Sequence, residues 1–492
     1  MQKKFDSQFG AYRTPAPRSR MKPVVLLGLV LWFLLWSGYN TGIYVVLAPD
    51  FPATHMQLVH GIRAFFPIIA GWIALLVILA RRGLKTQAVA GPLGLMGLFA
   101  AVGMVSSALL SRAALQAFYW GAMYESIVVV LVAICSDPYA MESLSQVIKL
   151  NWVIDIIIMV GLLAAIPSFG GAALVQTHGS PLGVMAYNGN VGAHGTIAGM
   201  ASTRNTGFAR YAGVAGVVAL ARLWQREKWN RILWAVILAI SLVVLVMAQA
   251  RTETISFLAA SMIVLLLRKR RRVILMGFGT LGAILLALEG FFHGLWDFGT
   301  RNGHFDPTLT GRSGQWMQGL EAVRQSPWVG LGFQADRYYL HGIQIENAVF
   351  HALIQTGILG TLAYVAAYAV AWIMLIQLYV SRSSTALPDE IPGILVFFTV
   401  FSVTESVAYY SAAFLLLAPV LAYIQMAAWQ EKAIRAKASY RRREALQVAR
   451  AGYAMERRNA GTPERLGSAE YGPELRAAGF RTAGIGFNGS KG

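Results

Sequence analysis

Residues 232–250 read ILWAVILAISLVVLVMAQA, a run without a charged side chain. A helix needs about 20 such residues to cross the hydrocarbon core of a bilayer, so this run predicts a transmembrane helix. The rest of the chain agrees with it: 56% of the residues are apolar, 13% are charged, and the mean hydropathy is +0.53. Soluble globular proteins do not have this composition. We therefore expect an all-α, polytopic integral membrane protein with about 12 transmembrane helices.

Eleven further apolar segments flank this run and complete the expected set of spans. With it they are 24–47, 60–80, 88–110, 113–135, 151–168, 207–223, 232–250, 253–267, 273–292, 348–379, 391–409 and 411–429. The resulting organisation is a basic N-terminal tail (1–22), helices 1–9 (23–292), one large polar loop (293–346), helices 10–12 (347–429) and a basic C-terminal tail (430–492). The C-terminal tail has little apolar periodicity, so we expect it to begin as a basic helix and to be partly disordered.

The basic clusters predict how the chain is oriented in the membrane. Residues 81–85, 222–231, 268–272 and 441–443 carry dense positive charge and fall on one side of the twelve spans. Such clusters mark the cytoplasmic side. Both termini are therefore expected in the cytoplasm and the loop 293–346 on the outer face of the membrane, which is the periplasm if the cell is Gram-negative.

Several other site types find no support in the sequence. Residues 277–282 read GFGTLG and match a dinucleotide fingerprint as a string, but they lie inside an apolar span, where glycines serve helix packing. The histidines lack metal-ligand spacing and Cys135 is the only cysteine, so we expect neither a metal nor another cofactor. We interpret the net charge of +19 as topogenic and lipid-facing, with no nucleic-acid partner.

Charged residues inside or beside the spans need a physical reason, because a charge at mid-bilayer costs on the order of 3 kcal/mol. Two of them lie deeper, Glu125 near mid-span and Asp155 at the inner end of its span. Those at the outer surface, beneath the large loop, are Arg210, Arg251, Glu253, Glu289 and Glu405. Arginine suits a phosphate because its planar guanidinium donates two hydrogen bonds at once. The alternative is that these residues only snorkel or pair with one another.

Several polar segments follow one another in a recognisable order. They are 202–210 (STRNTGFAR), 250–252 (ART), 311–316 (GRSGQW), 327–332 (PWVGLG), and Asn347 followed by 357–360 (GILG). In order and spacing they resemble the O-antigen ligase and polymerase superfamily, over roughly residues 195–380. The resemblance implies metal-independent transfer of a glycan from an undecaprenyl-diphosphate carrier to an acceptor hydroxyl on the periplasmic face. It also implies that arginines hold the diphosphate, at Arg210, Arg251 and Arg312 here.

One position departs from the ligase pattern. Ligases carry a histidine before the polar residue that matches Asn347, and Glu346 stands there in this chain. A carboxylate can act as a general base, so Glu346 and Arg312 are the candidate catalytic residues. The alternative is that Glu346 only stabilises the start of a helix through the helix dipole. Asn347, His341 and His351 are further candidates for the acceptor site.

Loss of the ligase histidine favours a glycan polymerase, whose donor and acceptor are both carrier-linked repeat units of an exopolysaccharide, capsule or O-antigen. The first alternative is an O-antigen ligase that transfers glycan to lipid A core. The second is a polysaccharide transporter or flippase, which would need charged residues or broken helices in paired halves of the membrane domain. The expected partners are the lipid-linked donor and acceptor, membrane lipid, and a chain-length regulator or flippase.

Overall fold

The computed structural model describes residues 22–38, 62–81, 84–165, 205–224, 228–248, 250–268, 312–340, 345–380, 387–406 and 411–460. Throughout these residues every regular element is an α-helix. The helices are α1 (Pro23–Ser37), α2 (Phe66–Ala80), α3 (Thr86–Val89), α4 (Pro92–Leu110), α5 (Ala114–Cys135), α6 (Ala140–Ala165), α7 (Asn205–Arg222), α8 (Lys228–Ala248), α9 (Arg251–Leu267), α10 (Arg312–Val323), α11 (Ala335–Tyr339), α12 (Ala348–Val380), α13 (Glu390–Thr404) and α14 (Ser411–Ala460).

Seven helices of the described residues are long and apolar enough to cross a membrane, and α1 and α13 are shorter apolar helices. The expectation of an all-α, multi-pass membrane protein is confirmed. The count of twelve spans stays a prediction, because the segment 273–292 lies outside the described residues.

The fifth expected span begins earlier than predicted. The segment 151–168 was expected to follow a connection over 136–150, but α6 already begins at Ala140. Asp137 accepts a hydrogen bond from the backbone N–H of Tyr139 at 2.8 Å and ends the preceding turn. Leu144, Val147 and Ile148 are then buried at helical spacing, so packing extends the helix through a stretch that lacks the apolar density of a span.

Buried polar side chains form hydrogen bonds between the helices of the core. Trp32 and Trp36 of α1 both donate their indole N–H to Oδ1 of Asn151 in α6, at 3.1 and 2.8 Å. Gln425 of α14 accepts from the backbone N–H of Leu93 at 3.0 Å and donates to the carbonyl of Gln87 at 2.8 Å. These hydrogen bonds give Asn151, Gln425 and their partners the polar contacts that lipid cannot supply.

The two ends of the bundle are defined by contacts between helix termini. At one end of the bundle, α4 and α13 terminate and α9 and α12 begin. We call it the loop end, because α10 and α11 lie there. At the opposite end, Arg81 pairs with Asp137 and Arg222 with Glu390, each at 2.8 Å. Arg268 and Asp389 also form an ion pair there. The basic clusters near 81, 222 and 268 thus share one end, as the sequence predicts.

The chain divides into two compact units, Met1–Lys432 and Ala433–Gly492. The described part of the second unit is the portion of α14 that ends at Ala460, and it exposes large side chains such as Tyr440 and Val448. The basic helix expected at the start of the C-terminal tail is present. The expected disorder concerns 461–492, outside the described residues.

Candidate functional site

Helix α12 is broken at Gly357, and a loop segment fills the break. Gly357 has φ +59° and ψ −162°, a conformation that glycine adopts without steric cost. The backbone N–H groups of Leu331 and Gly332 donate to the carbonyls of Ile354 and Gln355, at 2.8 and 2.9 Å. Beyond the break, the N–H groups of residues 358 and 359 donate to the carbonyls of residues 327 and 328, at 2.8 and 3.1 Å. The loop thus satisfies groups that a helix break would leave without partners.

The two glycine-rich motifs of the sequence, 327–332 and 357–360, are therefore one structural unit. Gly330 has φ +72°, and a Cβ there would collide with the backbone at Gln355 and Thr356. Such close approach requires glycine on the loop as well as in the helix. The motifs that carry the family resemblance form the scaffold of the site.

The same loop is anchored in the bundle by Phe333. Its backbone N–H donates to Oγ of Ser107 in α4 at 2.9 Å. Its ring stacks on Tyr124 of α5 with centroids 5.6 Å apart, and fills space left by Gly103 and Gly121. These contacts of Phe333 fix the position of α11, the next element of the chain, relative to α4 and α5.

Asn347 is the N-cap of α12. Its Oδ1 accepts from the backbone N–H groups of Val349 and Phe350, at 2.9 and 3.0 Å, as capping residues do. Its Nδ2 donates to the carbonyl of Val403 near the end of α13, at 2.7 Å. Asn347 therefore caps α12, and Glu346 stands half-buried just before the helix.

A buried polar chain links the loop to the ends of α12 and α13. His351 is fully buried, with Nε2 at 3.4 Å from Oδ1 of Asp336 in α11 and at 2.9 Å from Nε2 of Gln355. Its Nδ1 hydrogen-bonds Oγ of Ser406, also fully buried. Both ring nitrogens therefore face protein groups, which suits a residue that positions others.

The environment of Asp336 favours its charged form. Burial by itself raises the pKa of this carboxyl. The charge and hydrogen bond of His351 act in the other direction, as do the backbone N–H of Ile345 at 3.2 Å and nearby Arg337. Together they outweigh burial and hold the pKa of Asp336 below its ordinary value of 3.8.

The end of α13 brings two of the predicted arginine positions together. Oγ1 of Thr252, beside Arg251, lies 2.7 Å from Oγ1 of Thr404. The guanidinium of Arg210, only 2% exposed, lies over the ring of Phe401 with its carbon 4.9 Å from the ring centroid. Helices α7 and α9 thus present Arg210 and Arg251 at the end of α13.

Acidic side chains share this region. Glu253 on α9 is fully buried, and Glu405 follows the last residue of α13 with 2% of its side chain exposed. Arg251, by contrast, begins α9 and is exposed. The region therefore combines a buried guanidinium, an exposed one and two buried carboxyl groups.

The third arginine position lies on the neighbouring loop helix. Arg312 is the first residue of α10, and Trp316, one turn later, stacks on Phe350 of α12 with centroids 5.2 Å apart. This contact places α10 against the start of α12, near Glu346 and Asn347. His341 lies outside the described residues. Sequence reasoning did not select Asp336 or Ser406 for the site, since neither has a diagnostic spacing to His351.

The fold and the site define a polytopic helical membrane protein with a polar centre at one end of the bundle. Residues 236–365 match the O-antigen ligase family model, a region that begins within α8 and ends within α12. The chain is also 35% identical to exopolysaccharide production protein ExoQ of Rhizobium meliloti (strain 1021) over a segment covering 11% of this chain and 16% of that protein. The match thus spans well under two thirds of the relative. Both findings confirm the predicted resemblance to the O-antigen ligase and polymerase superfamily.

Proposed function

We propose that this protein is a glycan polymerase of the bacterial inner membrane. In this proposal it transfers an oligosaccharide from undecaprenyl diphosphate to a hydroxyl of another lipid-linked repeat unit, on the periplasmic face and without a metal. The observation that carries the proposal is the convergence of Arg210 and Arg251 at the end of α13, beside the start of α12. The family match supports a membrane enzyme of polysaccharide ligation or polymerisation.

The arginines account for donor binding and for departure of the leaving group. A diphosphate at the membrane surface carries concentrated negative charge, which guanidinium groups bind with paired hydrogen bonds. Arg251 is exposed at the start of α9, and Arg312 opens the helix packed on α12. As the bond from sugar to diphosphate breaks, Arg210, Arg251 and Arg312 stabilise the charge that develops on the diphosphate.

Glu346 is the proposed base. Its carboxylate takes the proton of the acceptor hydroxyl, whose oxygen attacks the anomeric carbon of the donor sugar. The carbon–oxygen bond to the diphosphate breaks, and its electron pair leaves with the diphosphate. Asn347 and His351, whose polar atoms contact Val403 and Ser406, position the start of α12 for this step.

The test is a set of arginine variants. Arg251→Ala and Arg312→Ala should each lower polymer formation by about 10²-fold or more, because a group that stabilises transition-state charge is worth that much. Single repeat units should accumulate on the carrier. Arg324→Ala, an exposed arginine that follows α10, is the matched control and should polymerise normally. Normal chain length in the Arg251 and Arg312 variants would overturn the proposal.

The second candidate is an O-antigen ligase with lipid A core as acceptor, which the family description favours. The name of the relative, an exopolysaccharide production protein, favours polymer formation. Gene deletion separates the two: a polymerase deletion leaves single repeats on the carrier, whereas a ligase deletion leaves long glycan on the carrier. A chain-length regulator or flippase is the expected protein partner in the polymerase case.

A further inference from the structure

An apolar groove lies between α2 and α5, and Met104 of α4 also lines it. Its cavity of about 330 Å³ is open at the outer surface of the bundle. Trp72, Leu115 and Phe118 form its walls and are 62%, 62% and 46% exposed. A space of this size takes about ten groups of the size of a water molecule or methylene, at roughly 30 Å³ each. It therefore has room for part of one hydrocarbon chain.

The two hydroxyl groups in the groove wall are bonded to the backbone of the protein. Tyr119 donates its hydroxyl to the carbonyl of Ala64 at 2.8 Å, and Ser126 donates to the carbonyl of Ala122 at 2.7 Å. Glu125 also lines the groove, and its Oε1 lies 3.9 Å from where a Cβ of Gly97 in α4 would stand. The groove thus offers its occupant mainly hydrocarbon and aromatic surface.

The direction of the groove specifies how a lipid would enter it. It follows α5 from Leu115, close to the loop end, to Val129. At a rise of 1.5 Å per residue this is about 21 Å, more than half of a hydrocarbon core of about 30 Å. A chain lying in the groove would therefore have its head at the loop end and its tail beyond mid-membrane.

Polar and cationic groups stand at the head end of this path. The guanidinium carbon of Arg112, which is exposed, lies 4.4 Å from the ring centroid of Tyr339 in α11. Gln116 accepts a hydrogen bond from the hydroxyl of Tyr338. An anionic head group is complementary to Arg112 at this position. The contacts of Arg112 with Tyr339 and of Gln116 with Tyr338 also join the start of α5 to α11.

We call Arg210 and Arg251, at the end of α13, the arginine centre. The groove is separate from this centre, but one loop contacts residues beside both. Asp336 of α11 contacts His351 at the arginine centre, while Tyr338 and Tyr339 of the same helix contact the rim of the groove. Phe333 packs at Gly121, on the same helix that lines the groove. Two lipid heads, one at each site, would therefore flank α11.

We infer that the groove binds the polyprenyl tail of a second lipid-linked saccharide, whose anionic head lies at Arg112. The inference rests on the proposed function, because a polymerase must hold two carrier-linked glycans at once. One head occupies the arginine centre at the end of α13. The other lies across α11, and the groove holds the first part of its tail.

The test uses a polyprenyl diphosphate that carries a diazirine near the head end of its chain, with full-length protein in nanodiscs. Irradiation should label peptides from 65–75 and 115–129. Unlabelled undecaprenyl phosphate should compete, and phosphatidylglycerol, which is anionic but has two acyl chains, should not. Equal competition by phosphatidylglycerol would show a bulk-lipid groove and would overturn the inference.

Two variants make the result specific. Ala122→Trp fills the groove and should reduce labelling about tenfold, since each buried methylene changes affinity several-fold. Val246→Trp places the same side chain on α8, at a residue that is 74% exposed, and this variant should be labelled normally. Undiminished labelling in Ala122→Trp would also overturn the inference. If that variant does not fold, competition on the unmodified protein still decides.

The arginine variants keep the two proposals apart. Arg251→Ala should stop polymerisation and leave labelling of 115–129 unchanged, because the groove lies outside the arginine centre. Active polymerisation in that variant would count against the proposed function, whatever the labelling. Normal polymerisation in Ala122→Trp, together with undiminished labelling, would overturn the groove inference and leave the proposed function standing.

Discussion

The two ends of the membrane bundle hold their charged side chains in different ways. At the opposite end, arginines pair directly with acids, as in Arg81–Asp137 and Arg222–Glu390, and the guanidinium groups keep partial contact with the surroundings. At the loop end, Arg210 and Asp336 are almost fully buried, and helix termini are joined through neutral groups such as Asn347.

This difference between the two ends suggests a division of roles: the opposite end serves membrane orientation, and the loop end serves the proposed function. At the opposite end the arginine of each pair stays partly exposed, so solvent screens the pairing, and these residues can serve topology. Buried polar groups lose much more solvation and persist only when their surroundings hold them in place. The loop end is therefore the end where single substitutions should have large effects, and the following predictions test this from the largest effect to the smallest.

The largest stability effect is expected at the helix break. In Gly357→Ala the new Cβ would collide with the carbonyl of Trp328 at a positive φ, so we expect a loss of about 3 kcal/mol or more, as for other severe backbone strain. Gly314→Ala, where nothing lies within 4 Å, is the matched control. Thermal unfolding in detergent measures both. Equal midpoints for the two variants would contradict the broken-helix arrangement.

The N-cap of α12 is the next test. Asn347→Ala removes two capping hydrogen bonds and the bond to Val403, so we expect a loss of about 2 kcal/mol and reduced polymer formation. Asn347→Asp keeps the acceptor for the cap and removes the donor. It should lose about half as much stability, measured by the same unfolding assay. An unchanged alanine variant would show that the cap is dispensable.

The pair of Asp336 and His351 predicts a pH dependence. The pKa of Asp336 is held below its ordinary value of 3.8, so its contribution to stability is present above about pH 4 and is lost as pH falls through the lowered pKa. Asp336→Asn should remove this dependence and speed amide hydrogen exchange over 335–340 at neutral pH. Glu321→Gln, an exposed acid of α10, is the control. Identical exchange in the Asp336 variant and the unmodified protein would contradict the role of the pair.

The smallest effects belong to the opposite end. Arg81→Ala leaves Asp137 buried without this partner, so we expect a loss of about 1 kcal/mol and normal polymer formation. Lys22→Ala removes a more exposed pair with Glu142 and should cost about 0.5 kcal/mol or less. Unfolding midpoints and chain-length gels check both. A loss of polymer in either variant would show that the two ends are not distinct in function.

Much of the fold follows from the sequence because membrane spans depend on local composition. The apolar run 232–250 predicts α8 to within a few residues, and most other described spans are predicted as closely. The start of α6 is not, because residues 140–150 are helical through packing against neighbours rather than through apolar density. Local composition fails where tertiary contacts extend an element.

The candidate site is predicted in part. Charge placement and the resemblance to the superfamily select Arg210, Arg251, Asn347 and His351. The structure brings their elements together at the start of α12 and the end of α13. Asp336 was not selected, because nothing local marks a carboxylate that meets a histidine in the next helix. The roles of these four residues in binding and catalysis stay predictions, as do those of Glu346, Arg312 and His341.

The sequence by itself determined the class of the protein, the end at which its basic clusters gather and the segments that resemble the O-antigen ligase and polymerase superfamily. These depend on hydrophobicity, charge and short motifs, which act locally. Only the tertiary structure decided that the two glycine motifs fit together across a broken helix, and that Asn347 caps α12. The physical reason is that a helix break inside a membrane must find its hydrogen-bond partners elsewhere in the chain, and which segment supplies them is settled only by packing.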